Sequence, residues 1–309
     1  ENAHFLHEWN RIRARLFKYL VEAHGFNTFV LETGIVESRN IHQYVAGADV
    51  DWDTVVKSVT NAWGVWAELQ ELIQWMRDYN ANPHRDRELR FYGMDGTGNW
   101  FHIQHPFNEL MEFGRKVDAD LANDVKRSFE GPVRDINIDR RGEIDEATWH
   151  RLIAESTLVV NRIEQHRLDY IRASSQDDYD WALRSAEILR DMLLMMAQTG
   201  DLDSTEGFLS FWNVRDVSMA SSLEWILKRE GPDARIVVGA HNAHLQQYPV
   251  RVQKGTSMGS YIANRIGREK LLIIGAVSTY SVKGEEPLPD TNPAAYDQVG
   301  PECYFLDLR

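Results

Sequence analysis

The sequence predicts an α/β fold in which a mostly parallel central sheet, built from two related halves, carries a large helical insertion over its cleft. Short apolar runs typical of buried strands alternate with segments of helical periodicity near both ends of the chain. Between them, residues 106–200 have a wholly helical pattern. The tripeptide Asn-Ala-His occurs at residues 2–4 and 242–244, and each copy stands where a strand would pass into a helix. We therefore expect one domain over residues 1–309, with residues 104–210 inserted as a helical lid.

The first hundred residues follow an alternating pattern that begins with a helix. The predicted elements, in order, are a helix over 5–24, a strand over 26–31 ending at Glu32-Thr33-Gly34, helices over 37–46 and 51–80 with an interruption near Gly64, and a strand over 89–92 closed by the turn 93–96. This order favours a mostly parallel sheet, because each pair of strands is joined through helices.

The second half returns to the alternating pattern after the helical block. Within that block, the stretch 146–172 is amphipathic and a helix over 177–198 ends in an apolar run. The elements predicted after it are a helix over 214–228, a strand over 235–240, a helix over 258–266, a strand over 271–277, a Gly- and Pro-rich loop over 283–301, and a strand over 303–308.

Composition indicates an ordinary globular protein and excludes several classes of partner. With 43% hydrophobic residues, the 309-residue chain has ample material for a core. Its formal net charge of -13 argues against nucleic acid and anionic membrane partners, which need clustered basic residues. Nor does any apolar run reach the ~18–20 residues that a membrane span needs. The single cysteine, Cys303, excludes an internal disulfide and fits a reducing compartment, so we expect a cytoplasmic protein.

The chain opens directly on the residues Glu1-Asn2-Ala3-His4, with no initiator methionine or signal peptide. By analogy with the second Asn-Ala-His copy, a strand should precede this segment. We expect that the sequence records part of a longer chain, because loss of a buried strand would expose backbone groups and apolar surface.

A Gly-x-Ser-x-Gly pattern at residues 255–259 resembles the nucleophile elbow of an α/β-hydrolase. That elbow needs a strong buried strand before it and a histidine after it. Residues 250–254 make a poor strand, and no histidine follows His244. We therefore predict that this turn caps a helix and brings backbone N–H groups near the site.

Histidines and charged side chains collect at the predicted strand ends, where open α/β sheets bind their ligands. The candidate site residues are Glu1, His4, Glu8, Glu32, Asp95, His241 and His244, with Arg13 and Arg215 as cationic partners. A neutral imidazole beside a carboxylate can activate water, because the carboxylate fixes the tautomer and stabilises the imidazolium. An arginine cannot act as a base at neutral pH, so it would stabilise an oxyanion or orient a carboxylate.

The same side chains would also suit a divalent metal. The nitrogen and oxygen donors of a zinc or manganese site would be Glu1, His4, Glu32, His241 and His244. Their spacing is not diagnostic, because the chain has no His-Glu-x-x-His motif. We favour chemistry without a metal, since the arginines would repel a bound dication.

At these residues the chain resembles the erythromycin esterase family. That family carries a Gly-Glu-x-x-His segment with a further Glu four residues on, matched here by residues 1–4 and Glu8, without the leading glycine. The other matching segments are Gly25-Phe26, Leu31-Glu32-Thr33-Gly34, Tyr92-Gly93-Met94-Asp95, Arg215-Asp216-x-x-Met219-Ala220, Ala240-His241-Asn242-Ala243-His244 and Met258-Gly259. They follow the family's order over nearly the whole chain.

The resemblance implies hydrolysis of a carboxylic ester, which in macrolide-inactivating members is the macrolactone. It implies antibiotic resistance as a role for such members. The family's general base falls on His4 and its supporting acids on Glu1 and Glu32. Its arginines fall on Arg13 and Arg215, and its second histidine on His241 with His244 close by.

We therefore predict a hydrolase that cleaves a macrolactone or a similar bulky natural-product ester by His-activated attack of water. The residues expected to bind substrate are His244, Asp95, Glu8, Trp100, Trp212 and Met258. The expected partner is the small-molecule ester, and no cofactor is required. The alternatives are a divalent-metal-dependent hydrolase using the same cluster and a non-catalytic small-molecule binding protein.

Overall fold

A computed structural model describes residues 7–60, 66–96, 102–247 and 255–276. Three strands in this part of the chain form a parallel sheet in the order β2-β1-β3. The strands are β1 (Thr28–Gly34), β2 (Arg90–Asp95) and β3 (Ile236–Gly239). The parallel sheet agrees with the prediction, whereas the proposed relation between two halves stays a prediction.

Twelve α-helices surround the sheet in the described residues. They are α1 (His7–His24), α2 (Ser38–Val45), α3 (Trp52–Lys57), α4 (Ala67–Ala81), α5 (Gln104–Val117), α6 (Ala119–Phe129), α7 (Glu146–Gln165), α8 (Arg167–Ala173), α9 (Gln176–Gln198), α10 (Thr205–Glu230), α11 (Asn242–Leu245) and α12 (Met258–Ile266). Short 3₁₀ turns cover Pro132–Asp135, Ile138–Glu143 and Arg268–Lys270. Among these described helices, none combines the length and apolar character needed to cross a membrane.

Two apolar clusters lie on opposite faces of the sheet. Phe29 and Leu31 of β1 pack with α1, α2, α3 and α4 on one face. Val30 of β1 packs on the other face with Tyr92, Met94 and the helices of the middle block. This alternation is the two-residue period of a strand, and because both faces are covered the strand is apolar throughout its first half.

Helix α10 is the longest helix in the described part of the chain and begins well before the predicted position. The sequence predicted a helix over 214–228, but α10 starts at Thr205 because the hydroxyl of Ser204 accepts a hydrogen bond from Gly207 N–H. It ends at Gly231, whose φ of 85° favours glycine. The earlier start places Trp212 and Arg215 on one continuous helix.

The strand boundaries also differ from the predicted ones. β1 and β2 both extend further, so that Glu32 lies inside β1 and Gly93–Asp95 lies inside β2 rather than in a turn. Both strands are longer than predicted because their pairing continues beyond the apolar run, where Ile35 N–H donates a hydrogen bond to Asp95 C=O.

Two further predicted elements require correction. The amphipathic stretch 146–172 is divided at His166 into α7 and α8. Residues 271–276 are not a strand, and Leu272 is 78% exposed. The backbone C=O of Ala276 accepts a hydrogen bond from the side-chain amide of Asn242, and its N–H donates to the same amide, so neither group pairs with a neighbouring strand. The strand predicted over 303–308 lies outside the described residues.

Candidate functional site

A buried guanidinium lies at the carboxyl end of the sheet. Arg215 of α10 donates from Nε and Nη2 to the carboxylate of Asp95 at the end of β2, with its shortest contact at 2.7 Å. It also donates from Nη2 to Glu32 of β1 at 2.8 Å and lies 2.9 Å from His244 Nε2 through Nη1. Three chain segments that are distant in sequence therefore meet at one cation.

The charges of this cluster stabilise one another. Burial alone would lower the pKa of Arg215, but attraction to Asp95 and Glu32 outweighs it and raises that pKa. Asp95 is fully buried and also accepts from Gly96 N–H at 2.8 Å. Arg215 therefore stays cationic at every pH at which the protein is folded.

An irregularity in β1 directs Glu32 toward this cluster. The pairing with β2 shifts between Leu31 and Gly34, so β1 holds one residue more than its partner over this stretch. Such bulges redirect side chains and occur often beside active sites. Glu32 Oε1 reaches Arg215, while Oε2 accepts from His241 N–H at 2.7 Å.

The second Asn-Ala-His copy forms the junction between β3 and α11, as predicted. The ring of His241 caps α11, since its Nδ1 accepts from Ala243 N–H at 3.2 Å. His244 is only 2% exposed, and its ring centroid lies 6.4 Å from that of His241. The segment thus brings one partly exposed and one buried imidazole to the edge.

Asp216 is a member of the cluster that was not among the predicted site residues. Its Oδ1 lies 2.7 Å from His244 Nδ1, and its Oδ2 accepts from Met258 N–H at 2.7 Å. Burial raises the pKa of Asp216, opposed by its bonds to His244 and Met258. Two signals for Asp216 were present in the sequence: it lies next to Arg215, and it belongs to the family-like segment Arg215-Asp216-x-x-Met219-Ala220. Neither singled it out, because two successive helix residues usually face different neighbours.

Helix α1 lies on the opposite face of the sheet from α10 and brings a second arginine to the same carboxyl end. Arg13 donates to Asn10 at 3.1 Å, and its side chain packs against Gly239, where an added Cβ would lie 2.6 Å from Arg13 Cδ. Burial lowers the pKa of Arg13 to about 10, while the nearby charge of Glu32 opposes this shift. Arg13 therefore remains charged at neutral pH.

The aromatic side chain of Trp212 lies against His244. Their ring centroids are 4.4 Å apart with planes only 8° from parallel, and the ring of Phe208 also stacks on Trp212, with centroids 5.8 Å apart. Trp212 is 8% exposed, so in this arrangement it covers the imidazole more than it lines an open surface.

The Gly-x-Ser-x-Gly turn caps a helix, as predicted. Ser257 Oγ accepts from Ser260 N–H at the start of α12 and donates to Gln246 C=O. Ser257 is fully buried, so its hydroxyl is a structural cap. The next residue, Met258, supplies the backbone N–H that reaches Asp216.

The remaining predicted site residues are placed as follows. Glu8 lies exposed in the first turn of α1. Glu1, His4 and Trp100 lie outside the described residues. Within the residues that are described, no group of three or more His, Cys, Asp or Glu side chains has the arrangement of a metal site.

Comparison with known proteins identifies the family of the chain. The sequence model of the family described as erythromycin esterase matches residues 21–309. The chain belongs to the erythromycin esterase family. Membership indicates a carboxylic ester hydrolase.

Two curated relatives are enzymes of Escherichia coli. Erythromycin esterase type II is 24% identical over 293 residues, covering 91% of this chain and 68% of the relative. Erythromycin esterase type I is 26% identical over 283 residues, covering 86% of this chain and 66% of the relative. The chain thus spans about two thirds of the length of the curated relatives it matches.

Solved structures share the fold. A mutant of the erythromycin esterase EreC in its open conformation superimposes with a TM-score of 0.65 at 22% identity, covering 87% of this chain and 66% of that one. A succinoglycan biosynthesis protein gives 0.64 at 19% identity, covering 82% and 59%. The predicted α/β class is confirmed, with a helical part larger than the sheet.

Proposed function

We propose that this protein hydrolyses a carboxylic ester by direct addition of water at the carboxyl end of its sheet. The observation that carries the proposal is the buried Arg215 held by Asp95 and Glu32 at the ends of two strands. Together with family membership, this supports an active site in which a pre-oriented guanidinium stabilises the negative charge that develops on the substrate carbonyl oxygen in the transition state.

The arginines would stabilise the tetrahedral oxyanion. Arg215 is already oriented by three partners, so little reorganisation is needed when negative charge develops on the carbonyl oxygen. Arg13 adds a second cation beside Glu32. Neither guanidinium can act as the base, because both stay protonated at neutral pH.

A histidine other than His244 would remove the proton from water. Both ring nitrogens of His244 are engaged, one by Arg215 and one by Asp216. This favours His4, onto which the family's general base falls, with Glu1 or Glu32 supporting the imidazolium. No covalent acyl-enzyme is needed, and the buried helix cap Ser257 supports a mechanism without a serine nucleophile.

The substrate we propose is a macrolactone or a similar bulky natural-product ester, in the cytoplasm. The names of the two curated relatives support this class. Phe208 is partly exposed and stacks on the buried Trp212, and its aromatic surface beside the charged cluster suits a large apolar molecule. Opening of a macrolide would make the protein an antibiotic-resistance enzyme.

The test is mass spectrometry of a 14-membered macrolide and a panel of simpler esters after incubation with the protein, with and without chelator. The expected product has gained one water, forms in chelator, and is absent with His4→Ala and strongly reduced with Glu32→Gln. Glu230→Gln is the matched control, because Glu230 is also a buried carboxylate but bonds Tyr92 and Arg90, away from the site.

Loss of turnover in chelator with recovery on added metal would instead establish the metal-dependent alternative. Binding without turnover of any ester would establish a binding protein.

A further inference from the structure

The imidazole of His244 is held between a cation and an anion. Nε2 lies 2.9 Å from Arg215 Nη1, and Nδ1 lies 2.7 Å from Asp216 Oδ1. Glu32 Oε1 is 3.5 Å from Nε2, and the ring of His241 is the other titratable group beside it. The ring is almost fully buried, so its two nitrogens face these neighbours and not solvent.

The two contacts are compatible with one protonation state. A guanidinium has no acceptor, so a nitrogen facing Arg215 Nη1 must offer its lone pair. Nε2 is therefore unprotonated, and Nδ1 carries the hydrogen that is donated to Asp216. An imidazolium would place an Nε2 hydrogen against Arg215, and the Nε2–H tautomer would do the same.

We propose that Asp216 is a positioning residue that fixes His244 as the Nδ1–H tautomer, so that Nε2 holds the guanidinium of Arg215 in place. Asp216 is itself held, because its second oxygen accepts from Met258 N–H. Trp212 fixes the plane of the imidazole by stacking. The chain of contacts runs from α12 through Asp216 and His244 to Arg215. Its catalytic consequence rests on the proposed function, whereas the tautomer does not.

Asparagine at this position tests the proposal sharply. Asp216 accepts two N–H groups, one at each carboxylate oxygen. An asparagine offers one acceptor oxygen and one NH₂ group, so it cannot accept both. If the oxygen stays with Met258, the NH₂ faces Nδ1 and drives His244 to the Nε2–H tautomer, which opposes Arg215.

The experiment is NMR of the full chain with ¹⁵N-labelled histidine, in which the His244 signals are assigned by their loss in His244→Gln. The wild type should show a neutral ring with hydrogen on Nδ1. Asp216→Asn should lose that signature and lower kcat by about 100-fold, with a smaller change in KM. The matched control is Asp191→Asn, because Asp191 also contacts α10, through Ser218, outside the cluster.

Each outcome is decisive for the proposal. A wild-type ring protonated on Nε2, or an imidazolium at neutral pH, overturns it, as does an Asp216→Asn variant that keeps the Nδ1–H signature and full kcat. If the wild type hydrolyses no ester, the proposed function fails, and the wild-type spectrum still decides the tautomer. If Asp216→Asn does not fold, that same spectrum again decides.

Discussion

At the scale of single residues, the charged site is partly readable from the sequence. Glu32, Asp95 and Arg215 were selected because they lie at strand ends or next to family motifs, and the structure joins all three. Asp216 was missed because its role depends on where α12 delivers Met258 N–H, a contact of residues 42 positions apart. Trp212 was selected as a substrate contact, which stays a prediction; in the structure its ring stacks on His244.

Replacement of Arg13 by lysine should make catalysis sensitive to alkaline pH. Burial already lowers the pKa of Arg13 to about 10, and the charge is lost as pH rises through that value. A lysine begins from an ordinary pKa about 2 units lower, and the same burial lowers it further. In a kcat/KM profile against pH, Arg13→Lys should therefore lose activity at lower pH than the wild type.

The control for this profile is Arg11→Lys, on the exposed side of the same helix. Its profile should match the wild type. Identical alkaline limbs for Arg13→Lys and the wild type would show that the charge of Arg13 is not needed for turnover.

At the scale of elements, the bulge in β1 depends on Gly93, the glycine of β2 that lies opposite it. An added Cβ on Gly93 would lie 2.4 Å from Gly34 O and 2.5 Å from Thr33 O. The close approach of the two strands is what admits the extra residue of β1 and directs Glu32 toward Arg215. From the sequence alone, the glycine at position 93 suggested a turn. The bulge could not be predicted, because a one-residue register shift between strands that are distant in sequence leaves no local signal.

Gly93→Ala should therefore reduce activity as well as stability. Forcing the strands apart should cost about 1–3 kcal/mol of unfolding free energy and displace Glu32. Urea unfolding and ester turnover measure the two effects. Gly142→Ala is the control, because beyond its chain neighbours and its own helical turn no heavy atom lies within 4 Å of the added Cβ, and it should change neither. A folded Gly93→Ala protein with wild-type kcat would separate the bulge from catalysis.

Helix α2 packs on the sheet through a half-buried histidine that should make stability depend on pH. His42 lies with its ring centroid 4.7 Å from that of Tyr92, and its Nδ1 is 3.2 Å from Phe91 C=O. Burial, together with the charge of Arg229, lowers the pKa of His42 from 6.5 to about 4, against the opposing effects of Phe91 C=O and Asp177.

The unfolded state therefore binds more protons than the folded state between these two values. The contribution is fully present above pH 6.5 and is lost as pH falls toward about 4. The shift corresponds to at most about 3 kcal/mol. Urea unfolding at several pH values should show a flatter acid decline for His42→Gln, and an unchanged slope for the exposed control His84→Gln. Equal slopes for His42→Gln and the wild type would contradict this assignment.

At the scale of the whole molecule, the helical block and the sheet share one core. The cluster on one face of β1 runs without a break from Val30 and Tyr92 into α5, α7 and α9. Arg39 of α2 bonds both Glu109 of α5 and Asp178 of α9, so charge as well as apolar contact joins the block to the sheet. The sequence predicted the helical character of this block, because helical periodicity is local. It did not show the division of 146–172 at His166 or how the helices pack.

This continuity predicts that the protein unfolds in a single cooperative transition, as the one-domain prediction requires. Tryptophan fluorescence and far-ultraviolet circular dichroism should give coincident thermal curves. Arg39→Met leaves the half-buried carboxylate of Glu109 without its guanidinium, whereas Asp178 keeps its pair with Lys116. It should destabilise the fold by about 1–3 kcal/mol while keeping the curves coincident. The control Arg127→Met breaks an exposed pair with Asp124 and should cost below about 1 kcal/mol. Two separated transitions, with only the first shifted by Arg39→Met, would show that the helical block is an independent unit, because a shared core cannot be lost in halves.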